Sequence, residues 1–549
     1  MNVIEQIQAA FADYLQKIFN IPLNEEDAGN FTLNVDENKQ QFGDLNANAP
    51  MILTKIVGKS PRDIAQQIID GFSDLYLAKI EIAGPGFLNA WLTQEAIQKL
   101  AEQLGMQQDD FFKLDPDVSR HNYSIEFVSA NPTGPLHLGH GRGGIIGDVL
   151  GNILKFIGNK ITKEFYINDA GAQIKKLGVS FKIRCQQVTG IDVALPEDAY
   201  HGEYLIALAK QCIAEHGLSV IQNDEQFFID YAYSHLLDCL KKTLETYGIH
   251  FDVWFSEKSL HTSGAIEHAL EILEKHGYLY EKDGALWFKA TEFGDDKDRV
   301  VRKSSGEYTY VAADIAYLLN KAERGFDKLI MVLGHDHHSY AVRLEAARKA
   351  LGLHCTLDVI LYQLVRMKAS GQLVRMSKRA GHIVTLDGVI ETVGTDVARF
   401  FYLNRKADAQ LEFDLDLALK KTEENPVYYV QYAYVRTKSI LEKAAQEAAL
   451  QDISKADSAY IGHEEALLIK KITSLKELLA NISHNYQTHL LTYYVLELAT
   501  LFHRYYSQHR VIDMTKIEQS RGRRYLIKLL NETFKRCLQL LEISCPDKM

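Results

Sequence analysis

Residues 123–144 read YSIEFVSANPTGPLHLGHGRGG, and this stretch decides the fold. Its first third is rich in β-branched and aromatic residues and reads as a strand. Asn131, Pro132, Gly134 and Pro135 then break the chain into a turn. The next segment, IIGDVLGNILKFIG (145–158), has helical periodicity, and KITKEFYIND (160–169) reads as a second strand. Strand, helix, strand is the unit of a parallel sheet. A strand feeding a helix through glycines also builds a phosphate site, because backbone N–H groups and the positive helix end face the anion. His137 and His140, three apart, fall on one side of the first helical turn, where they can donate to a phosphate gaining charge.

Other readings of the same stretch stay open. Gly139, Gly141 and Gly144 fit a dinucleotide fingerprint, and Glu164 lies twenty residues on, where a ribose-binding acid is expected. The two imidazoles could hold a metal together with His335, His337 and His338. Both could also be ordinary solvent-facing residues of a helix start.

The alternation resumes at 328–365, with DKLIMVLG, a helix from Tyr340 to Leu351, and LDVILYQLV. Residues about 174–285 read as a mostly helical insertion. Before residue 112 the pattern is mixed, and LAKIEIAGPGFLNAWL alternates like strands turning at Gly84-Pro85-Gly86. The polar stretch from Gln108 to His121 reads as a linker. Beyond about 425 the pattern is helical to the end, as in a bundle. A chain of 549 residues exceeds what one core serves, so several domains are expected.

Composition excludes some classes. Hydrophobic residues are 46% and charged residues 24%, as in ordinary globular proteins. No run of about 18 apolar residues occurs, and Glu5 and Asp13 interrupt the N-terminal pattern, so neither a membrane span nor a secretory signal is expected. Cys185, Cys212, Cys239, Cys355, Cys537 and Cys545 form no Cys-x-x-Cys pair and read as reduced thiols of a cytoplasmic protein. A net charge of −11 argues against bulk nucleic-acid binding but leaves room for a local basic track. Arg521, Arg523, Arg524, Lys528, Lys535 and Arg536 offer one, with a solvated helix face as the plainer account.

A second motif, GQLVRMSKRAG (371–381), decides between the open readings. It is a glycine-bounded basic segment suited to clamping a polyphosphate leaving group. A dehydrogenase has no need of it, whereas an enzyme that cleaves ATP between the α- and β-phosphates does. Together the His pair and this segment resemble the two signatures of class I aminoacyl-tRNA synthetases. Arg375 and Arg379 stand where the usual signature has lysine and serine, and Lys378 is kept. The match extends further. IEFVSANPTGPLHLGHGRG, TYVAADIAY, SKRAG with the following VTLD, and FDLDLALKKTEENPVYYVQYAYVR are similar to the arginyl-tRNA synthetase family. So are FGDLNANAPMILTK, IEIAGPGFLNAWL and the terminal CPDKM.

That resemblance implies an α/β fold: a Rossmann-type parallel-sheet catalytic domain (113–400), an added N-terminal α+β domain (1–112) touching tRNA, and a C-terminal all-α helical bundle (401–549) reading the anticodon arm. It implies arginine–tRNA ligation with ATP as substrate and Mg2+ accompanying it, in a cytoplasmic monomer that needs bound tRNA for activation. It implies catalytic roles for His137, His140 and Lys378, and nucleotide contacts from these with Gly139, Asp336, His338, Met376 and Ser377. Glu126, Asn131, Tyr310 and Asp314 match arginine-binding positions; the last two share a helix face at i, i+4. A receptor of carboxylates in plane suits a guanidinium's fork of donors. Arg521, Arg523, Arg524 and Lys528 fit tRNA contact.

Overall fold

The computed structural model describes residues 1–20, 29–115, 118, 120–373 and 385–549. At the N-terminus, helix α1 (Val3–Phe19) starts on a reciprocal cap between Asn2 and Glu5. It packs with α2 (Ala49–Val57), α3 (Pro61–Gly71) and α4 (Gln94–Gln107) on an antiparallel sheet. Strands β1 (Thr32–Leu33), β2 (Leu45–Ala47), β3 (Leu77–Ala83) and β4 (Phe87–Leu92) form it in the order β1-β2-β4-β3. β3 and β4 are the hairpin expected around Gly84–Gly86. The expected linker from Gln108 is no free tether: Phe111 and Phe112 are buried in a short 3-10 turn, because two adjacent aromatics cost more in water than a polar segment gains there.

The central unit alternates as the sequence predicts. Its strands are β5 (Asn122–Phe127), β6 (Lys160–Ile167), β7 (Val253–Ser256), β11 (Lys328–Gly334) and β12 (Thr356–Tyr362), all parallel in the order β12-β11-β5-β6-β7. Helix α5 (Leu138–Phe156) crosses from β5 to β6. Helices α6 (Ala172–Val188), α7 (Glu203–His216) and α8 (Glu225–Thr246) follow, with a small core of their own around Leu177, Phe181 and Phe228. The insertion read as one block is thus split, because β7 inside it completes the main sheet. After β7 come α9 (Glu257–Thr262), α10 (Ala265–Lys275) and an antiparallel sheet of β8 (Leu279–Lys282), β9 (Ala285–Phe288) and β10 (Arg299–Arg302). Then α11 (Tyr310–Glu323) leads to β11, and α12 (His338–Ala350) to β12.

The glycines of α5 serve packing. A Cβ at Gly141 would meet Leu386 at 2.5 Å, one at Gly144 would meet Ile249 at 2.9 Å, and one at Gly147 would strike the Phe127 ring. Their absence lets the helix lie close on the sheet.

Beyond β12, strands β13 (Val365–Ala369), β14 (Gln372–Leu373) and β15 (Leu411–Asp414) make a small sheet, β13 and β15 pairing in parallel. Helices α13 (Leu386–Val393) and α14 (Thr395–Leu403) lie between, and α15 (Leu415–Ala418) follows. The border expected at 400 therefore falls inside α14. Because β15 pairs back onto β13, the all-α part begins only at Pro426.

That part holds α16 (Pro426–Ala444), α17 (Ala466–Thr473), α18 (Leu475–Asn485), α19 (His489–Gln508) and α20 (Ile517–Leu540). It is docked on the N-terminal domain by charge. Lys470, 1% exposed, donates to Asp44 (2.7 Å) and Gln40 (2.6 Å), and burial pushes its pKa down. Breaking one side of such a pair typically costs about 3–5 kcal/mol. Two residues of the expected basic face on α20 turn inward. Arg523 bonds Glu464 (2.6 Å) and Glu465 (3.2 Å), and Arg524 bonds Asp457 (3.2 Å), both inside the bundle. Arg521 also reaches Asp457 (2.8 Å), and Lys528 lies 3.8 Å from Glu532. α20 is buried along much of its length, so Arg523 and Arg524 match interior acids, whereas Arg521, Lys528, Lys535 and Arg536 keep some exposure. Among the described residues no helix is long and apolar enough to cross a membrane.

Candidate active site

The chain runs from β5 outward to β6 and β7, then returns on the other side through β11 and β12. The order therefore reverses between β5 and β11, and ligands of open α/β sheets bind at the carboxyl ends of strands at such a point. Two loops rise there. One is the turn from Val128 to His137; the other is the short exposed turn His335–His337.

The first loop begins with strained backbone. Val128 has φ +67° and Ser129 φ +38°. A β-branched residue in that region is a true outlier and persists only where the surroundings enforce it. The bend puts the Ser129 hydroxyl between Glu126 Oε1, to which it donates (3.1 Å), and the Tyr166 N–H, from which it accepts (3.1 Å). Farther along, Tyr204 of α7 donates to the Thr133 carbonyl (2.5 Å) and holds the turn from above.

His137 is the N-cap of α5, its Nδ1 accepting from Gly139 N–H (3.2 Å), while His140 Nδ1 accepts from His137 N–H (3.2 Å). Their rings stack with centroids 3.7 Å apart and planes 19° apart. Both imidazoles are thereby fixed at the positive end of a 19-residue helix, a ready anion site. The chain beyond the second motif is described again from Thr385, at the same place. Thr385 bridges to His137, and Leu386 N–H donates to the Leu136 carbonyl (2.9 Å). Arg375, Met376, Ser377, Lys378 and Arg379 lie outside the described residues, as does the side chain of His338. Asp336 stands exposed on the loop after β11.

Behind this loop lies an acid-rich wall built from β5, β6 and α11. Two of its carboxylates are fully matched. Glu126 accepts from Lys321 (2.6 Å), itself buried and also 3.7 Å from Glu164. Glu164 accepts from the Tyr317 hydroxyl and from Arg324. Glu164 is wholly buried, so the dinucleotide reading loses the acid it needs for a ribose.

Two others are not matched. Asp314 on α11 accepts from the Tyr340 hydroxyl (2.8 Å). It keeps part of its surface open, yet the crowd of protein atoms around it pushes its carboxyl up to about 7; the Tyr340 bond and Arg343 oppose this, and Glu126 adds to it. Glu257 opens α9 and is 3% exposed. Burial pushes it up to about 7 as well, against a hydrogen bond from Tyr166 and with help from the charges of Asp314 and Asp169. Its nearest cationic group among the described residues is His261, 3.8 Å away. In the orientation that satisfies both ends of the Asn168 amide, its nitrogen donates to Glu257 (3.0 Å), and the amide lies 3.2 Å from the Asn131 side chain. Asn131 is exposed on the lip. Tyr310 is 56% exposed, and a Cβ at Gly171 would meet its hydroxyl at 3.4 Å.

The structure thus brings Glu126, Asn131 and Asp314 to one wall, with Tyr310 at its rim. It adds Glu257, Tyr166 and Tyr340, which carry no motif of their own. Buried acids without cations are costly unless something positive arrives. The wall suits a cationic side chain, and the capped helix beside it suits a phosphate.

Comparison with known proteins agrees along the whole length. The chain matches the models of the arginyl tRNA synthetase N terminal domain (residues 5–92), the class I (R) tRNA synthetase catalytic domain (113–408) and the DALR anticodon binding domain (430–549). It is 40% identical to the arginine–tRNA ligase of Bacillus subtilis and to that of Anoxybacillus flavithermus, over all of each chain. Among solved structures, a putative arginyl-tRNA synthetase from Campylobacter jejuni superposes with a TM-score of 0.76 at 32% identity, covering 83% of this chain and 100% of that one. The Thermus thermophilus arginyl-tRNA synthetase, 20% identical, shares the fold over 100% of both chains with a TM-score of 0.76.

Proposed function

The chain belongs to the arginyl-tRNA synthetase family, and from that premise we propose how its residues divide the work. It is an arginine–tRNA ligase: arginine and ATP give arginyl-adenylate and pyrophosphate, and the arginyl group then passes to tRNA. The arginine carboxylate attacks the α-phosphorus in line as the bond to the β-phosphate breaks. A ribose hydroxyl at the tRNA end next attacks the adenylate carbonyl, and AMP leaves.

The observation that carries the reading is the pair Asp314 and Glu257, which form no ion pair with a lysine or arginine among the described residues, although the charge of Arg343 is felt at Asp314, and which are set beside the imidazole-capped helix. They take the guanidinium. Tyr340 and Tyr166 aim them, Tyr310 closes the rim, and Asn131 receives the substrate's main-chain end. Glu126, already matched by Lys321, lends negative potential through Ser129 rather than a free carboxylate. His137 and His140 donate to the phosphates as charge builds, with Gly139 leaving room for the anion and Lys378 following the departing pyrophosphate. Met376, Ser377, Asp336 and His338 border the nucleotide. Among the described residues no group of three His, Cys, Asp or Glu could hold a metal, so the magnesium expected with ATP is taken as part of the nucleotide, and no step runs through it. The N-terminal and helical domains contact tRNA. Of the α20 cluster Arg521, Lys528, Lys535 and Arg536 remain at least partly open for it. The enzyme works as a cytosolic monomer.

The test is ATP–pyrophosphate exchange with each amino acid in turn, with and without tRNA. Exchange with arginine alone is expected. Exchange with lysine but not arginine, or nicotinamide binding without exchange, would sink the reading.

A further inference from the structure

Arg142 lies two residues past His140 in α5, and its side chain is wholly buried. Its Nη1 donates to the Gln363 and Ala409 carbonyls, both at 2.8 Å, and its Nη2 to the Lys406 carbonyl at 2.9 Å. It forms no ion pair with a carboxylate among the described residues, and its Nε is unpartnered there. Burial pushes its pKa down to about 10. A cation buried without a counter-ion is expensive, and an apolar side chain of similar size usually fills such a space at least as well. Architecture alone therefore explains this residue poorly.

The three acceptors identify its task. Gln363 joins β12 to β13. Lys406 and Ala409 lie between α14 and β15, and the Gln363 N–H itself donates to Ala407 O (2.9 Å). These stretches brace the β13–β15 pair, and β13 runs through β14 directly into residue 374. The chain after residue 384 is also fixed to the turn and first helical residues of α5. Leu386 donates to Leu136 O, and its wholly buried side chain fills the space that a Cβ at Gly141 would need. The chain thus stands on α5 with one foot at the stretches that brace the β13–β15 pair and the other at Leu386.

We infer that Arg142 is a positioning residue for adenylate formation, holding the β13–β15 pair in register with His137 and His140. The inference rests on the ligase reading above. A guanidinium can fork across three carbonyls at fixed angles, whereas the ammonium of lysine is a compact point charge on a flexible stem. Lysine would keep the charge and lose the register.

The experiment compares the full-length parent with Arg142→Lys in arginine-dependent ATP–pyrophosphate exchange with tRNA present. For Arg142→Lys, kcat should fall about 100-fold, the scale of an ångström-sized misplacement of reacting groups. The KM for arginine should stay within about twofold, because Asp314 and Glu257 are untouched. A near-parental kcat, even with a lowered melting temperature, would overturn the inference, as would a rise in the KM for arginine matching the fall in kcat. Should Arg142→Lys not fold, Leu386→Ala loosens the other foot without touching a buried charge. It should lower kcat about tenfold with the same unchanged KM for arginine; an unchanged kcat would overturn the inference. A parent chain silent in exchange would instead break the ligase reading.

Discussion

Four acids share one wall of the catalytic domain, and they are of two kinds. Glu126 and Glu164 are closed off by Lys321, Arg324 and Tyr317, so their charges are balanced before any ligand comes. Asp314 and Glu257 accept hydrogen bonds from tyrosine hydroxyls and an amide, with Arg343 felt at the first and His261 3.8 Å from the second, but among the described residues neither pairs with a lysine or arginine. The same residue types at similar depth thus do opposite jobs. A matched buried carboxylate holds structure together; an unmatched one stores electrostatic cost that a substrate cation relieves. The wall is short of positive charge on one side only, and that side is where the proposed arginine site sets the guanidinium.

The contrast can be broken from either side. Lys321→Met removes the cation that balances Glu126 and Glu164 and should destabilise the catalytic domain by about 3–5 kcal/mol, read as an earlier thermal or urea transition. If the melting curve does not move, the matched pair was never needed. Asp314→Asn should raise the KM for arginine about 100-fold while leaving the fold intact, since a charge-assisted bond to the guanidinium is lost. Glu257→Gln, which keeps an amide oxygen toward the pocket, should raise it about tenfold. An equal loss of kcat with constant KM in either variant would move these residues out of the arginine site.

The smallest effect sharpens the contrast most. The folded pKa of Asp314, about 7, is above the ordinary carboxylate value of 3.8, so the folded chain holds its proton more tightly than the unfolded one. The resulting penalty is absent below pH 4, grows as pH rises to 7 and is level above it. Asp314→Asn should therefore stabilise the arginine-free protein at pH 8, by about 1–2 kcal/mol once partial opening to solvent is allowed for, and leave it unchanged at pH 4. Lys321→Met should show no such gain at any pH.

Much of this was legible in the sequence, for physical reasons. The β5–turn–α5 unit carries glycines, prolines and a period change within 36 residues (122–157), and the structure places its two imidazoles at the helix cap. β11 reads cleanly because a buried parallel strand is a continuous apolar run. Glu257 was not legible: an isolated acid at a strand end has no periodicity, and its neighbours come from β6, α11 and its own turn. Arg523 and Arg524 look like a solvated face because charge alone does not reveal which side of α20 meets Glu465 and Asp457. The border near 400 slipped because β15 is only four residues long and its partner β13 lies about 45 residues earlier.

The central claim is that arginine binds to two carboxylates that hold protons in the empty site and give them up. Titration calorimetry of arginine into the full chain at pH 7, in buffers of different ionisation enthalpy, counts those protons. With both groups near half-protonation, release of about one proton per arginine is expected, falling toward zero by pH 9. Arginine binding with no proton release at pH 7 would contradict the account.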